Sequence, residues 1–71
     1  MNEDKQRLMK LVEHWVEHND EHGNRFSEEA IKAEKMGLKE VAVEMRKAAE
    51  ASGKVSGNLL KVVSLLKECD E

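Results

Sequence analysis

The chain has 71 residues, of which 39 % are hydrophobic and 38 % charged, with one Trp, one Phe, no Tyr, no Pro and a formal net charge of −3. That length supplies one small domain with a thin core, which excludes a deep, self-contained catalytic cleft. The helix-forming composition and the lack of aromatics, Pro and turn signals exclude a β-sandwich or barrel, and the acidic balance argues against nucleic acid as a partner.

The opening residues Met1-Asn2-Glu3-Asp4 are acidic, so no secretory or transit signal is expected. A first helix is predicted over about 4–36. Its apolar stripe runs Leu8, Leu11, Trp15, His18, His22, Phe26, Ala30 and Ala33, with Glu13, Glu17, Asp20 and Glu28 on the opposite face. A turn is predicted at 37–38, where Gly37 suits the left-handed residue that ends a helix.

A second helix is predicted over about 39–69. Its stripe is Val41, Met45, Ala48, Ser52, Val55, Leu59, Val62, Leu66 and Cys69, in alternating steps of four and three. Gly23 and Gly53 are the places where either helix could break, so a three- or four-helix bundle within one chain is the competing architecture. Both stripes keep phase across the glycines and no Pro enforces a break, which favours two long helices. No run approaches the ~20 apolar residues of a membrane span. The single Cys69 can form no intrachain disulfide, as suits a reducing cytoplasm.

The expected fold is therefore all-α: one domain over 1–71, an antiparallel two-helix hairpin. Val12, Val16, Ile31, Val43, Leu60, Val63 and Leu65 lie off the two stripes and widen the apolar surface. They imply a second burial surface, most simply closed by a homodimer that forms a four-helix bundle.

His14, His18 and His22 are spaced four apart, which stacks them along one helix face. His14/His18 and His18/His22 are each a plausible bidentate pair for a divalent ion. The outer two Cα atoms lie ~12 Å apart on a straight helix, which makes it harder for one ion to take all three. Glu17, Glu21, the second helix or a dimer mate would complete the shell. Folding at Gly37-Leu38 makes facing residue numbers sum to about 74 or 75. On that rule Trp15 meets Leu59 or Leu60, His22 meets Ser52-Gly53 and His18 meets Ser56-Gly57. Small residues would then give the imidazoles room, with Ser52, Ser56 and Asn58 as acceptors for their distal N–H groups. The alternative is packed core histidines that fix register and bind nothing.

His14-x-x-Glu17-His18 and His18-x-x-Glu21-His22 both match the inverted zinc-protease pattern, but the chain lacks the walls and the distant third carboxylate. No His has a Glu three residues before it, so the di-iron bundle signature is absent. No one His stands out as a phosphotransfer residue.

The stretch from Leu11 to His22 resembles a family of small uncharacterised helical prokaryotic proteins with the phrase L-x-x-H-W-x-E-H-N-x-x-H. The likeness continues through Phe26, Ala33, Gly37, Val41-Ala42 and Asn58-Leu59-Leu60. It departs from the family pattern at Gly23, Gly53 and Gly57. The resemblance implies a link to nickel or cobalt handling, with His14, His18 and His22 as the matching histidines.

The expected function is a non-enzymatic, cytoplasmic metal-binding accessory protein for storage, delivery or sensing. Nickel, cobalt or zinc would be the ion, and a metal-handling protein a possible partner, with neither nucleic acid nor membrane involved. The other expectation is a structural oligomerisation module without metal.

Overall fold

A computed structural model describes residues 3–68. Two helices, α1 (Glu3–Lys35) and α2 (Lys39–Glu68), pack as an antiparallel hairpin. Cys69, placed at the end of the second stripe, lies outside the described residues. Both helices run unbroken through Gly23, Gly53 and Gly57, so the bundle of shorter helices is excluded. Propensity explains the continuity: an interior Gly costs about 1 kcal/mol against Ala, and long runs of Ala, Leu, Glu, Lys and Met outweigh it. Glu3 and Asp4 in the first turn of α1, and Lys32 and Lys35 in its last, oppose the helix dipole.

The turn is a Schellman closure. The Leu38 N–H donates to the Ala33 carbonyl at 2.9 Å and the Gly37 N–H to the Glu34 carbonyl at 3.0 Å. Gly37 has φ 84°, the only positive value among the described residues. The Leu38 carbonyl then accepts from the Ala42 N–H at 3.0 Å and starts α2.

The seam between the helices is one residue away from the predicted stripe in much of its length. On α1 the residues turned inward are Met9, Val12, Val16, Asn19, Gly23, Phe26, Ala30 and Ala33; on α2 they are Ala42, Met45, Ala49, Ser52, Ser56, Leu59, Val63 and Leu66. Both sets keep the alternating three–four rhythm of a helical seam. One residue is about 100° of helix rotation. Leu8, Leu11, Trp15, His18 and His22 therefore lie outside, as do Val41, Ala48 and Val55. Val12 and Val63, expected off the seam, are core, at 2 % and 7 % exposure. The axial register is as expected: Gly23 against Ser52 and Asn19 against Ser56 both sum to 75.

The physical reason is side-chain size. Among the described residues the buried apolar ones are Val12, Ala30, Ala33, Ala42 and Val63, and no large side chain is fully buried. Ala30, Ala33, Ala42, Ser52, Ser56 and Gly23 let the backbones come close, while Met9, Val16, Phe26, Met45, Leu59 and Leu66 enter the seam half-buried. A Cβ on Gly23 would stand 3.0 Å from Ser52 Oγ and 3.3 Å from Ser52 Cβ.

Gly53 and Gly57 are exposed, and a Cβ added at either would meet open space. Gly53→Ala and Gly57→Ala should each add about 0.5–1 kcal/mol, from helix propensity alone. Thermal unfolding at fixed chain concentration should show Tm rising by about 4 °C or more for the pair.

Candidate functional site

The three histidines do form a ladder. Ring centroids lie 5.3 Å apart for His14–His18 and 5.5 Å for His18–His22, and His22 stacks on Phe26 at 6.3 Å. Steps of four residues overshoot a full turn by about 40° each, so the row winds around α1. It starts at His14, on the side of α1 away from α2, and ends at Phe26, which turns into the seam. All three imidazoles are exposed. His18 and His22 border the same side of the hairpin as Trp15 and Phe26, whereas His14 does not.

The expected pairing of histidines with serines is overturned. Ser52 and Ser56 are buried, but against Asn19, Asp20 and Gly23. Asn19 Nδ2 donates to the Ser52 carbonyl at 2.6 Å and to Ser56 Oγ at 2.9 Å. Ser52 Oγ donates to the Asn19 carbonyl at 2.9 Å, and Ser56 Oγ donates to Asp20 Oδ1. Both hydroxyl protons are thus committed, and neither serine serves an imidazole. Histidines one residue out of the seam lie about 100° away from this network. Glu17 and Glu21 are exposed, and Asn58 is exposed beside Val55 and Leu59. Among the described residues no group of three or more His, Cys, Asp or Glu side chains is placed to hold a metal ion.

What the sequence reading missed is the two-sidedness of the hairpin. One side is polar. It carries the Asn19–Ser52–Ser56–Asp20 network, a groove lined by Asp20, Asn24, Ser27 and Gly53, and the Glu34–Arg46 ion pair that joins the helices near the turn. The other side is apolar. Leu8, Leu11 and Trp15 on α1, with Val41 and Val55 on α2, are each between 43 % and 49 % exposed. Near the turn this side opens into a concavity of 540 Å³, walled by Phe26, Val41, Met45 and Ala48 and rimmed by Glu40 and Glu44. Trp15, expected to pack on Leu59 or Leu60 as a core anchor, is 45 % exposed on this side. The signal was present in the sequence as two apolar stripes per helix, offset by one residue.

No helix among the described residues is long and apolar enough to cross a membrane. The chain exposes 5641 Å² in all, where a compact monomer of 8.1 kDa would expose about 4,500 Å². Its radius of gyration is 16.2 Å, against about 11 Å for a globular chain of this length.

No solved structure matches this chain. An uncharacterized protein of the archaeon Archaeoglobus fulgidus is 39 % identical over 61 residues, which is 86 % of this chain and 97 % of that relative. The family described as Domain of unknown function (DUF8180) matches residues 8–66. The expected kinship with small uncharacterised prokaryotic proteins holds, and the chain belongs to the DUF8180 family.

Proposed function

We propose that this protein is a non-enzymatic self-associating module of the cytoplasm, in which two copies close apolar side to apolar side as a four-helix bundle. The observation that carries this reading is the exposed row of Leu8, Leu11, Trp15, Val41 and Val55 on one side of a hairpin whose buried residues, among those described, are only Val, Ala and Ser. A second copy is the occupant for three reasons. The exposed apolar positions recur in steps of three and four on α1 (Leu8, Leu11, Trp15) and of seven on α2 (Val41, Ala48, Val55), so a helical partner of matching pitch fits them. The side is about 45 Å long and two helices of ~10 Å wide, a footprint on the order of 900 Å² per copy, which is the size of a standard interface side. The excess exposed area, about 1,100 Å² over a compact monomer, is of the same order.

Sedimentation equilibrium tests this. The chain should behave as twice its 8.1 kDa mass at micromolar concentration. Trp15→Glu and Val55→Glu should each weaken association by about 30-fold or more, since an unpaired carboxylate buried in the interface costs about 2 kcal/mol or more. A wild-type chain that stays monomeric at hundreds of micromolar sinks the reading.

The ring spacings of 5.3 and 5.5 Å favour a second role on the same module, transition-metal binding. His14, His18 and His22 present imidazoles one turn apart, a donor type that suits Ni²⁺, Co²⁺ or Zn²⁺. Storage, delivery to a metal-handling partner, or sensing would each use such a site, and the resemblance at residues 11–22 points to nickel or cobalt.

A further inference from the structure

We propose that His18 and His22 of two copies build one four-imidazole site for a tetrahedral divalent ion at the centre of the dimer. The inference rests on the self-association reading above. A single chain offers too few ligands, because no group of three is assembled among its described residues. The site is incomplete without a second copy.

Position selects these two residues. α1 spans Glu3–Lys35, so its midpoint is residue 19. A two-fold axis that crosses the apolar side perpendicular to the helices passes through mid-length, and a residue near mid-length then meets its own symmetry mate. His18 lies ~1.5 Å along the axis from that midpoint and His22 ~4.5 Å. Both border the apolar side next to Trp15 and Phe26, whereas His14 lies around the helix and away from it. The imidazoles of His18 and His22 are already one above the other, with centroids 5.5 Å apart.

The competing two-fold, parallel to the helices, would set α1 on the second copy's α2. It would bury His18 and His22 against Val55 and Asn58 of the second copy, which offer one side-chain amide for two rings. A buried polar group without a partner costs free energy. The crossed arrangement instead brings the polar rings together, where one ion takes a nitrogen from each. Four imidazole nitrogens at tetrahedral angles suit Zn²⁺ or Co²⁺.

The test titrates the full chain with Co²⁺ alone, following visible absorption, and sediments the same samples with and without the ion. We expect saturation at one Co²⁺ per two chains, with the intense absorption of tetrahedral cobalt. His18→Ala and His22→Ala should each weaken uptake by about 100-fold, and His14→Ala by far less. Helical circular dichroism of each variant separates loss of ligand from loss of fold. One ion per chain, or equal loss in His14→Ala, overturns the site. Absence of uptake by a chain that sediments as a dimer overturns the site and leaves self-association standing. A chain that stays monomeric with and without Co²⁺ overturns both.

Discussion

Gly23→Leu is expected to cost the hairpin about 3 kcal/mol or more, while Gly53→Leu and Gly57→Leu cost it little. The contrast separates packing from propensity, since leucine is a better helix former than glycine at all three positions. At Gly23 even a Cβ would stand 3.0 Å from Ser52 Oγ and 3.9 Å from the Ala49 carbonyl. Ser52 cannot swing away freely, because it is buried and its hydroxyl is held on the Asn19 carbonyl. The further carbons of a leucine have no room unless the helices part, and parting them undoes the contacts of Ala30, Ala33 and Ala42. Overpacking typically costs about 1–3 kcal/mol even where a core can adjust. A small single core supplies only ~3–5 kcal/mol, so this one substitution should remove most of the cooperative transition. Chemical denaturation followed by Trp15 fluorescence measures it. Equal stability of the three leucine variants would show that the helices are not held close at Gly23.

The hairpin itself was legible in the sequence. Gly37 marked the turn, both stripes kept helical phase through the interior glycines, and the numerical pairing placed residue 23 against 52. The rotation of each helix was not legible by the same means. Two stripes compete on α1, and the one with Leu8, Leu11 and Trp15 has the larger side chains, so a rule that puts bulk inside selects it. Up to residue 23 the seam instead follows the stripe with Val12, Val16, Asn19 and Gly23, and it keeps the expected Phe26, Ala30 and Ala33, because the gain here comes from close approach of the backbones. Asn19 was the readable clue, since an Asn in a seam needs polar partners and Ser52 and Ser56 were waiting at the paired positions. The same rotation of about 100° moved the histidines from a lined cleft to the border of an exposed apolar side. It also hid the difference between the two sides of the hairpin. Bulk left outside a well-closed pair of helices is the residue-level sign that burial is unfinished.

Asn19→Asp replaces one NH2 by one oxygen and is expected to destabilise the chain by about 3 kcal/mol at neutral pH. Asn19 Nδ2 lies 2.6 Å from the Ser52 carbonyl oxygen and 2.9 Å from Ser56 Oγ. A carboxylate oxygen in that place faces the carbonyl as acceptor against acceptor. Ser56 can offer its single proton to only one of two carboxylates, and Asp20 already takes it. The variant thus loses two hydrogen bonds and gains repulsion from both a carbonyl and a neighbouring anion. These effects disfavour the charged form in the folded chain, so the introduced group should have a folded-state pKa above its unfolded value of about 3.9. The sign follows from linkage. Below about pH 3.9 the group is neutral in both states and this electrostatic penalty is absent; it grows as pH rises toward the folded-state pKa and is constant above it. The difference in unfolding free energy between wild type and Asn19→Asp should therefore widen with rising pH, while the difference between wild type and Asn19→Ala, about 1–2 kcal/mol from lost hydrogen bonds and a small void, should stay flat. Parallel, pH-independent offsets for both variants would mean that Asn19 does not hold the two helices in register through this network.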